Sequence, residues 1–243
     1  MDGVLRCSRY SFGPNRLHYC GPDQNRELLA YLEEGVSDAG LVVILKKFAT
    51  LYPYLQHIAR ANRVADPFDE RVVEAYWIGN DLLDHVSRPA LFTHLRDTLR
   101  LKDRLGSTEF DRLTEKIRQG AVPHHSFHVL DIWQRTGHVE RTHTVDSMDA
   151  CRVSWGKVLS IDGPKVTVQT EPVVLRDSRL EFGAPVEQVV TRALETAADL
   201  EQLKPGDLVT MHWRVPCEVI TPAQAAALRR YTLRHLQLAN LTL

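Results

Sequence analysis

Along the first 120 positions, apolar residues recur at helical spacing. In DQNRELLAYLEEG, Leu28, Leu29 and Leu32 share a face, acidic Asp23 stands near the start and Gly35 at the end, which predicts a helix. Residues 37–64 continue as a long apolar-periodic segment that Pro53 should kink or divide. DPFDERVVEAYWIGNDLLDHV (66–86) opens on Asp-Pro, a pairing suited to an N-cap and first helical position, and Val72, Val73, Tyr76, Trp77 and Leu83 make one face. PALFTHLRDTLRLKDRLGSTEFDRLTEKIRQG holds one or two more helices, punctuated by Gly106 and closed by Gly120. Ahead of the first clear helix, CSRYSFGPNRLHYCGPDQN (7–25) reads as an aromatic loop with two Gly/Pro turns, a texture that often lines a pocket.

The pattern changes between 121 and 150. VPHHSFHVLDIWQRTGHVERTHTV is rich in histidine and β-branched residues and predicts a strand over about 125–133, a turn at Thr136-Gly137 and a second extended piece. From Cys151 the chain alternates as a strand, turns at Asp162-Gly163-Pro164, and returns through KVTVQTEPVVL; Asp-Gly between alternating segments is a strong hairpin signal. PVEQVVTRALETAADLEQL predicts an inserted helix over about 185–200. KPGDLVTMHWRVPCEVI reads as turn, strand, turn, strand, and a terminal helix over 222–238 follows, with Thr221 as N-cap and Pro222 at its first position. The expected organisation is therefore an α+β chain: a helical domain (1–121), a His-rich extended connector (122–150) and a small β domain (151–243).

Composition narrows the partners. The chain has 243 residues, 44% hydrophobic and 25% charged, with a formal net charge of −1, enough for a sizeable core and without the basic excess that binds nucleic acid or anionic membranes. Its longest aliphatic run, LVVIL at 41–45, is far short of a membrane span, and MDGVLRCSRY lacks the apolar stretch of a secretory signal. A cytoplasmic protein is expected. There, Cys7, Cys20, Cys151 and Cys217 serve as thiols, ligands or core residues rather than disulfides, and the absence of CxxC argues against a zinc ribbon or thioredoxin-type site.

CRVSWGKVLSIDGPKVTVQT resembles the opening of the HypC/HybG/HupF hydrogenase assembly chaperones, which begin Cys-Leu-(Ala/Gly)-Ile-Pro-Gly-Lys-Val and continue through a strand to an Asp-Gly turn. LKPGDLVTMHWRVPCEVITPAQAAAL resembles their second signature, which runs from Val-Gly-Asp through a His-containing strand into a C-terminal helix. The resemblance covers roughly 148–233, apart from 176–202. The whole chain is similar to an uncharacterised prokaryotic family associated with hydrogenase genes. The resemblance implies an OB-like β-barrel closed by a helix. It also implies that Cys151 and His212 handle iron, as the Fe(CN)2CO unit of [NiFe]-hydrogenase, while the protein docks on a maturation scaffold protein or a hydrogenase large-subunit precursor. The chain departs from the pattern in three places: Cys151 is internal rather than N-terminal, Trp155 replaces a proline, and RVP replaces Val-Gly-Phe.

The residue types suit that chemistry and leave alternatives open. A thiolate and an imidazole are suitable, exchangeable carriers for ferrous iron; the paired resemblance implies that Cys151 and His212 lie within roughly 10 Å of each other at one barrel end, with Trp155 shielding the site from water. Otherwise Cys151 is a small core residue and His212 a strand-edge one. On a strand, His124 and His128 would lie about 13 Å apart, too far for one metal, and His125 would meet His128 only across a bend or helical turn. A further ligand would come from Cys7, His18, Cys20 or His143; the alternative for these histidines is a polar seam between domains. The HHSFHV stretch is expected to pack against the β domain and face Cys151. Three functions compete: an accessory protein of hydrogenase assembly, a metal-dependent enzyme acting on a one-carbon or diatomic-ligand precursor, and an interaction module without metal. No nucleotide-binding glycine loop, hydrolase elbow or HExxH occurs.

Overall fold

The strands all lie in the second half of the chain. A computed structural model describes residues 2–132, 144–192 and 202–243. Within them, β1 (Ser154–Asp162), β2 (Lys165–Thr170), β5 (Val186–Thr191), β6 (Leu208–His212) and β7 (Val215–Ile220) form an antiparallel sheet in the order β5-β2-β1-β6-β7. β3 (Val173–Arg176) and β4 (Arg179–Phe182) make a separate hairpin. The fold is mixed α+β. Edge strands β5 and β7 come within 8 Å of each other, Cα to Cα, but no ladder joins them among the described residues. The Asp162-Gly163 turn joins β1 to β2 as its sequence predicts. The β6–β7 hairpin turns through Trp213 and Arg214, both in the left-handed region (φ 52° and 61°), the geometry of a two-residue type I′ turn without its usual Asn-Gly.

The helices before the sheet are α1 (Gly3–Asn15), α2 (Asn25–Glu34), α3 (Ala39–Lys46), α4 (Leu51–Ala61), α5 (Glu70–Trp77), α6 (Arg88–Thr93), α7 (Leu101–Leu105) and α8 (Ser107–Arg118). The long segment after residue 37 divides at Lys47–Thr50, and Pro53 sits in the first turn of α4, where its missing N–H leaves no intrahelical bond unmade. Asp69, rather than Asp66, caps α5. No helix among the described residues is long and apolar enough to cross a membrane.

Four expectations are corrected. Residues 7–15 are not a loop: Asp2 caps Val4 N–H and α1 runs to Asn15, buried on nearly every side. A helix wrapped all round carries no apolar stripe, and its Gly, Ser and Pro content lowers propensity, so tertiary burial decides its state. The His-rich segment is not a strand either. His124 Nδ1 accepts the Ser126 N–H at 3.1 Å and starts a helical turn, α9 (His125–Phe127), continued by a wide π turn over His128–Ile132. The predicted turn at 136–137 lies outside the described residues. Cys151 does not open a strand; it is the last residue of α10 (Val145–Cys151), which Thr144 and Ser147 start with a capping box. Finally, Val186–Thr191 is β5, paired with β2 over six residues, where a helix was expected; 193–201 lies outside the described residues. The terminal helix, α11 (Pro222–Ala239), starts on Thr221 as predicted.

α1 is the link between the helices and the sheet. One buried cluster runs from Cys7 and Tyr10 through the helices to Val153, Val215 and Cys217. Arg6, almost fully buried, places Nη2 2.9 Å from Glu218 on β7 and Nη1 2.9 Å from Glu74 on α5. Tyr10 donates its hydroxyl to Glu218 at 2.6 Å. Gly13 lies against the carbonyl of His212, and a Cβ there would collide with that oxygen.

Candidate metal centre

His125, Cys151 and His212 each bring one donor atom to a common point, all within 4.8 Å of one another. No other group of three His, Cys, Asp or Glu converges in this way among the described residues. Three different elements supply them: the first residue of α9, the last of α10 and the last of β6. The sheet end and α10 are tied by the Trp213 N–H, which donates to the Ala150 carbonyl at 2.7 Å.

Hydrogen bonds set the imidazoles' lone pairs. A carbonyl only accepts, so His212 Nδ1, 2.6 Å from the Tyr10 carbonyl, carries the proton. Its Nε2 therefore holds the lone pair, buried beside the backbone of Cys151 but outside good hydrogen-bond geometry. By the same logic His125 Nε2 donates to the Cys151 carbonyl at 2.9 Å, leaving the lone pair on Nδ1, where the Tyr76 hydroxyl stands 3.2 Å away. A ring N–H held by a backbone carbonyl is the usual support of a metal-ligating histidine. Burial pushes both imidazoles down, His212 to about 4 and His125 well below the usual range, with the neighbouring His212 adding to the fall of His125. Both are neutral at physiological pH, the form a metal requires. Bonds of about 2.0–2.3 Å place tetrahedral donors about 3.3–3.8 Å apart, so the trio needs to close by roughly an ångström to bind.

The donors face a cavity of about 50 Å³, lined also by Ser11, Tyr19, Cys20, Tyr76, Trp77 and Trp213. The Trp77 ring lies 4.5 Å from that of His125 and 5.4 Å from that of His212. Tyr19 and Trp213, ring centroids 4.5 Å apart, also wall a wider cleft of about 910 Å³ bounded by Arg16, Thr144, Val189 and Arg214.

The other sequence candidates divide. His128 and Cys20 line the same cavity. Cys7 is buried in α1, its thiol pushed up to about 12 by burial, too protonated to ligate readily. His18 is at the surface beside Asp23, at 3.1 Å. His124 belongs to a buried seam in which Ser126 Oγ lies 2.7 Å from His124 Nδ1 and 2.7 Å from His235 Nδ1, the structural role weighed as the alternative. His143 lies outside the described residues. Trp155 packs on Phe182 and Arg152 and does not line the cavity; Trp77 and Trp213 do. Sequence reading missed these two and Tyr76: Tyr76 and Trp77 read as an apolar helix face, and Trp213 fell within a strand-turn-strand stretch without a role, although its place beside His212 was a usable signal.

The buried histidines also predict an acid sensitivity. Burial holds His94 and His124 at about 3 and His212 at about 4, against an unfolded value near 6.5. Between those limits the unfolded chain binds more protons, so each depressed histidine removes up to about 1.4 kcal/mol of stability per pH unit as pH falls. Asp131, raised to about 7 by burial, works in the opposite direction over pH 4 to 7. His57, also held at about 4, and His125 and His235, held well below the usual range, add to the loss and outweigh Asp131: the urea midpoint should fall as pH drops from 6.5 to 4, and a flat profile would contradict this burial.

No match was found among the curated proteins or the solved structures. A family profile does match, over residues 1–243, and by it the chain belongs to DUF6390, a family of unknown function.

Proposed function

We propose that this protein is an accessory factor of [NiFe]-hydrogenase assembly that holds iron as cargo, as the Fe(CN)2CO unit, at His125, Cys151 and His212. One observation carries the reading. The cysteine and histidine supplied by the two chaperone-like segments fall within 4.8 Å of each other, and a second imidazole joins them. Iron bearing three diatomic ligands keeps three open positions, and one thiolate with two imidazoles fills three. His125 would supply the donor that an N-terminal cysteine offers through its own amino group. The strand order β5-β2-β1-β6-β7, with edges β5 and β7 close, supports an OB-like barrel with an open seam. The partner is a maturation scaffold or a large-subunit precursor, in the cytoplasm, with no role for nucleic acid or membrane.

A second reading has its own support. Three protein donors beside a cleft leave a coordination position open, as in metal enzymes, here for a one-carbon or diatomic-ligand precursor. Metal analysis of anaerobically purified protein, with infrared spectra of the cyanide and carbonyl stretching region, separates the two. Iron with those bands is expected. A bare metal would favour the enzyme, and no metal at all would leave only an interaction module.

A further inference from the structure

We propose that Cys20 is a fourth donor at this cavity: the thiolate through which a soft divalent metal enters and leaves the His125–Cys151–His212 trio. The inference rests on the metal-binding reading above and adds a route to it. Cys20 is half-buried and lines the same cavity as the three donors, and the phenol of Tyr76 lies within electrostatic reach of both Cys20 and Cys151. It is outside the 4.8 Å trio, so its place is one step out from the resident ligands, and its side chain has staggered rotamers to choose from at that cavity wall.

The loop that presents Cys20 is built, not incidental. Asn15, buried at the end of α1, donates through Nδ2 to the carbonyls of Cys20 at 2.9 Å and Pro22 at 2.8 Å. Gly21, at φ +83°, packs on the Phe48 ring where a Cβ would collide. These contacts hold Cys20 next to Tyr19, whose ring with Trp213 stands between the cavity and the wide cleft. A metal passing that ring pair from the cleft enters the cavity that Cys20 lines. A second observation points to a ligand in the cavity: His212 Nε2 is buried there with no hydrogen bond of good geometry, only the backbone of Cys151 nearby.

The exchange is redox-neutral. As the incoming aquated cation binds, a metal–water bond breaks, a metal–sulfur bond to Cys20 forms, and the thiol proton passes to solvent. Cys151 then loses its proton in the same way as the metal moves onto the trio. A two-thiolate, two-imidazole set is the soft tetrahedral site that such a metal prefers.

Cobalt(II), titrated anaerobically into the full chain, reads out the thiolates through its sulfur-to-cobalt charge-transfer band. At saturating cobalt, Cys20→Ser should roughly halve that band, as should the more weakly binding Cys151→Ser, and the double variant should abolish it. Release to a chelator should also change in rate in Cys20→Ser, and Cys20→Ala should repeat both effects with an unaltered melting curve. A wild-type band and release rate in both Cys20 variants, with the band still dependent on Cys151, would overturn the role of Cys20 and leave the trio standing. Absence of any cobalt spectrum in the wild type would overturn the metal-binding reading together with it.

Discussion

Cys151→Ala should fold normally and lose its metal. The Cys151 sulfur is half-buried at the end of α10, so its removal takes away little apolar contact, about 1 kcal/mol or less. The scaffold of the site also survives, because His125 is held by the Cys151 carbonyl and His212 by the Tyr10 carbonyl, neither of which the substitution touches. What disappears is the anionic, soft donor of the trio. Structural zinc sites gain about 10–16 kcal/mol from all their ligands, so losing one of three should weaken binding by about 3 kcal/mol or more, at least a hundredfold. Metal content after dialysis and the melting curve measure the two halves of the expectation. Stoichiometric metal in Cys151→Ala would sink the proposed centre. Loss of function in His125→Ala with full function in Cys151→Ala would instead favour the enzyme reading. His18→Ala, at the surface, should change neither quantity.

Glu218→Ala should be the most damaging change to the fold. Glu218 is nearly fully buried and receives Arg6 Nε at 3.0 Å, Arg6 Nη2 at 2.9 Å and the Tyr10 hydroxyl at 2.6 Å. Removing one member of a buried pair leaves the other charge without compensation, a loss of about 3–5 kcal/mol. Glu74, 2.9 Å from Arg6 and partly solvated, keeps a share of the guanidinium satisfied and sets the expectation near the lower end of that range. The damage should reach the metal, since Tyr10 joins this cluster through its side chain and orients His212 through its carbonyl. Urea unfolding would show the loss, and cobalt binding would weaken alongside it. An apolar pair, Arg6→Met with Glu218→Leu, should recover much of the stability, because the desolvation of two charges goes with the charges. A Glu218→Ala stability within about 0.5 kcal/mol of wild type would show that this cluster does not clamp α1 to the sheet.

Much of the sheet and of the later helices was legible in the chain. Asp162-Gly163 specifies its hairpin through backbone conformations that few residues adopt, and the Thr221-Pro222 start of α11 is a local capping event, so neither needs distant residues to be read. The pairing of Cys151 with His212 was also legible, through the order of two segments rather than through any spacing. The misread elements share a cause. α1 is buried on nearly all sides, so its residues show no stripe; α9 turns where Ser126, capped by His124, is also bound by His235 109 residues away; and β5 is a strand because β2 offers it six paired positions. Each depends on partners remote in sequence, which override weak local preference.

The site divides in the same way. By itself the sequence determined which residue types were at hand: thiols, imidazoles and aromatic rings concentrated in 7–20, 124–128, 151 and 212. Through the resemblance of two segments it also paired Cys151 with His212, although it put Cys151 at the start of a strand rather than at the end of a helix. Only the tertiary structure decided which of these meet. It brought His125 to Cys151 by closing α9 as a helical turn, sent His124 into a seam with Ser126 and His235, buried Cys7, and left His18 at the surface. It also chose the lone pairs, since the Tyr10 and Cys151 carbonyls that protonate one nitrogen of each imidazole lie 202 and 26 residues away along the chain. Ligand direction is set by such long-range hydrogen bonds and by desolvation, and both exist only once the chain has folded.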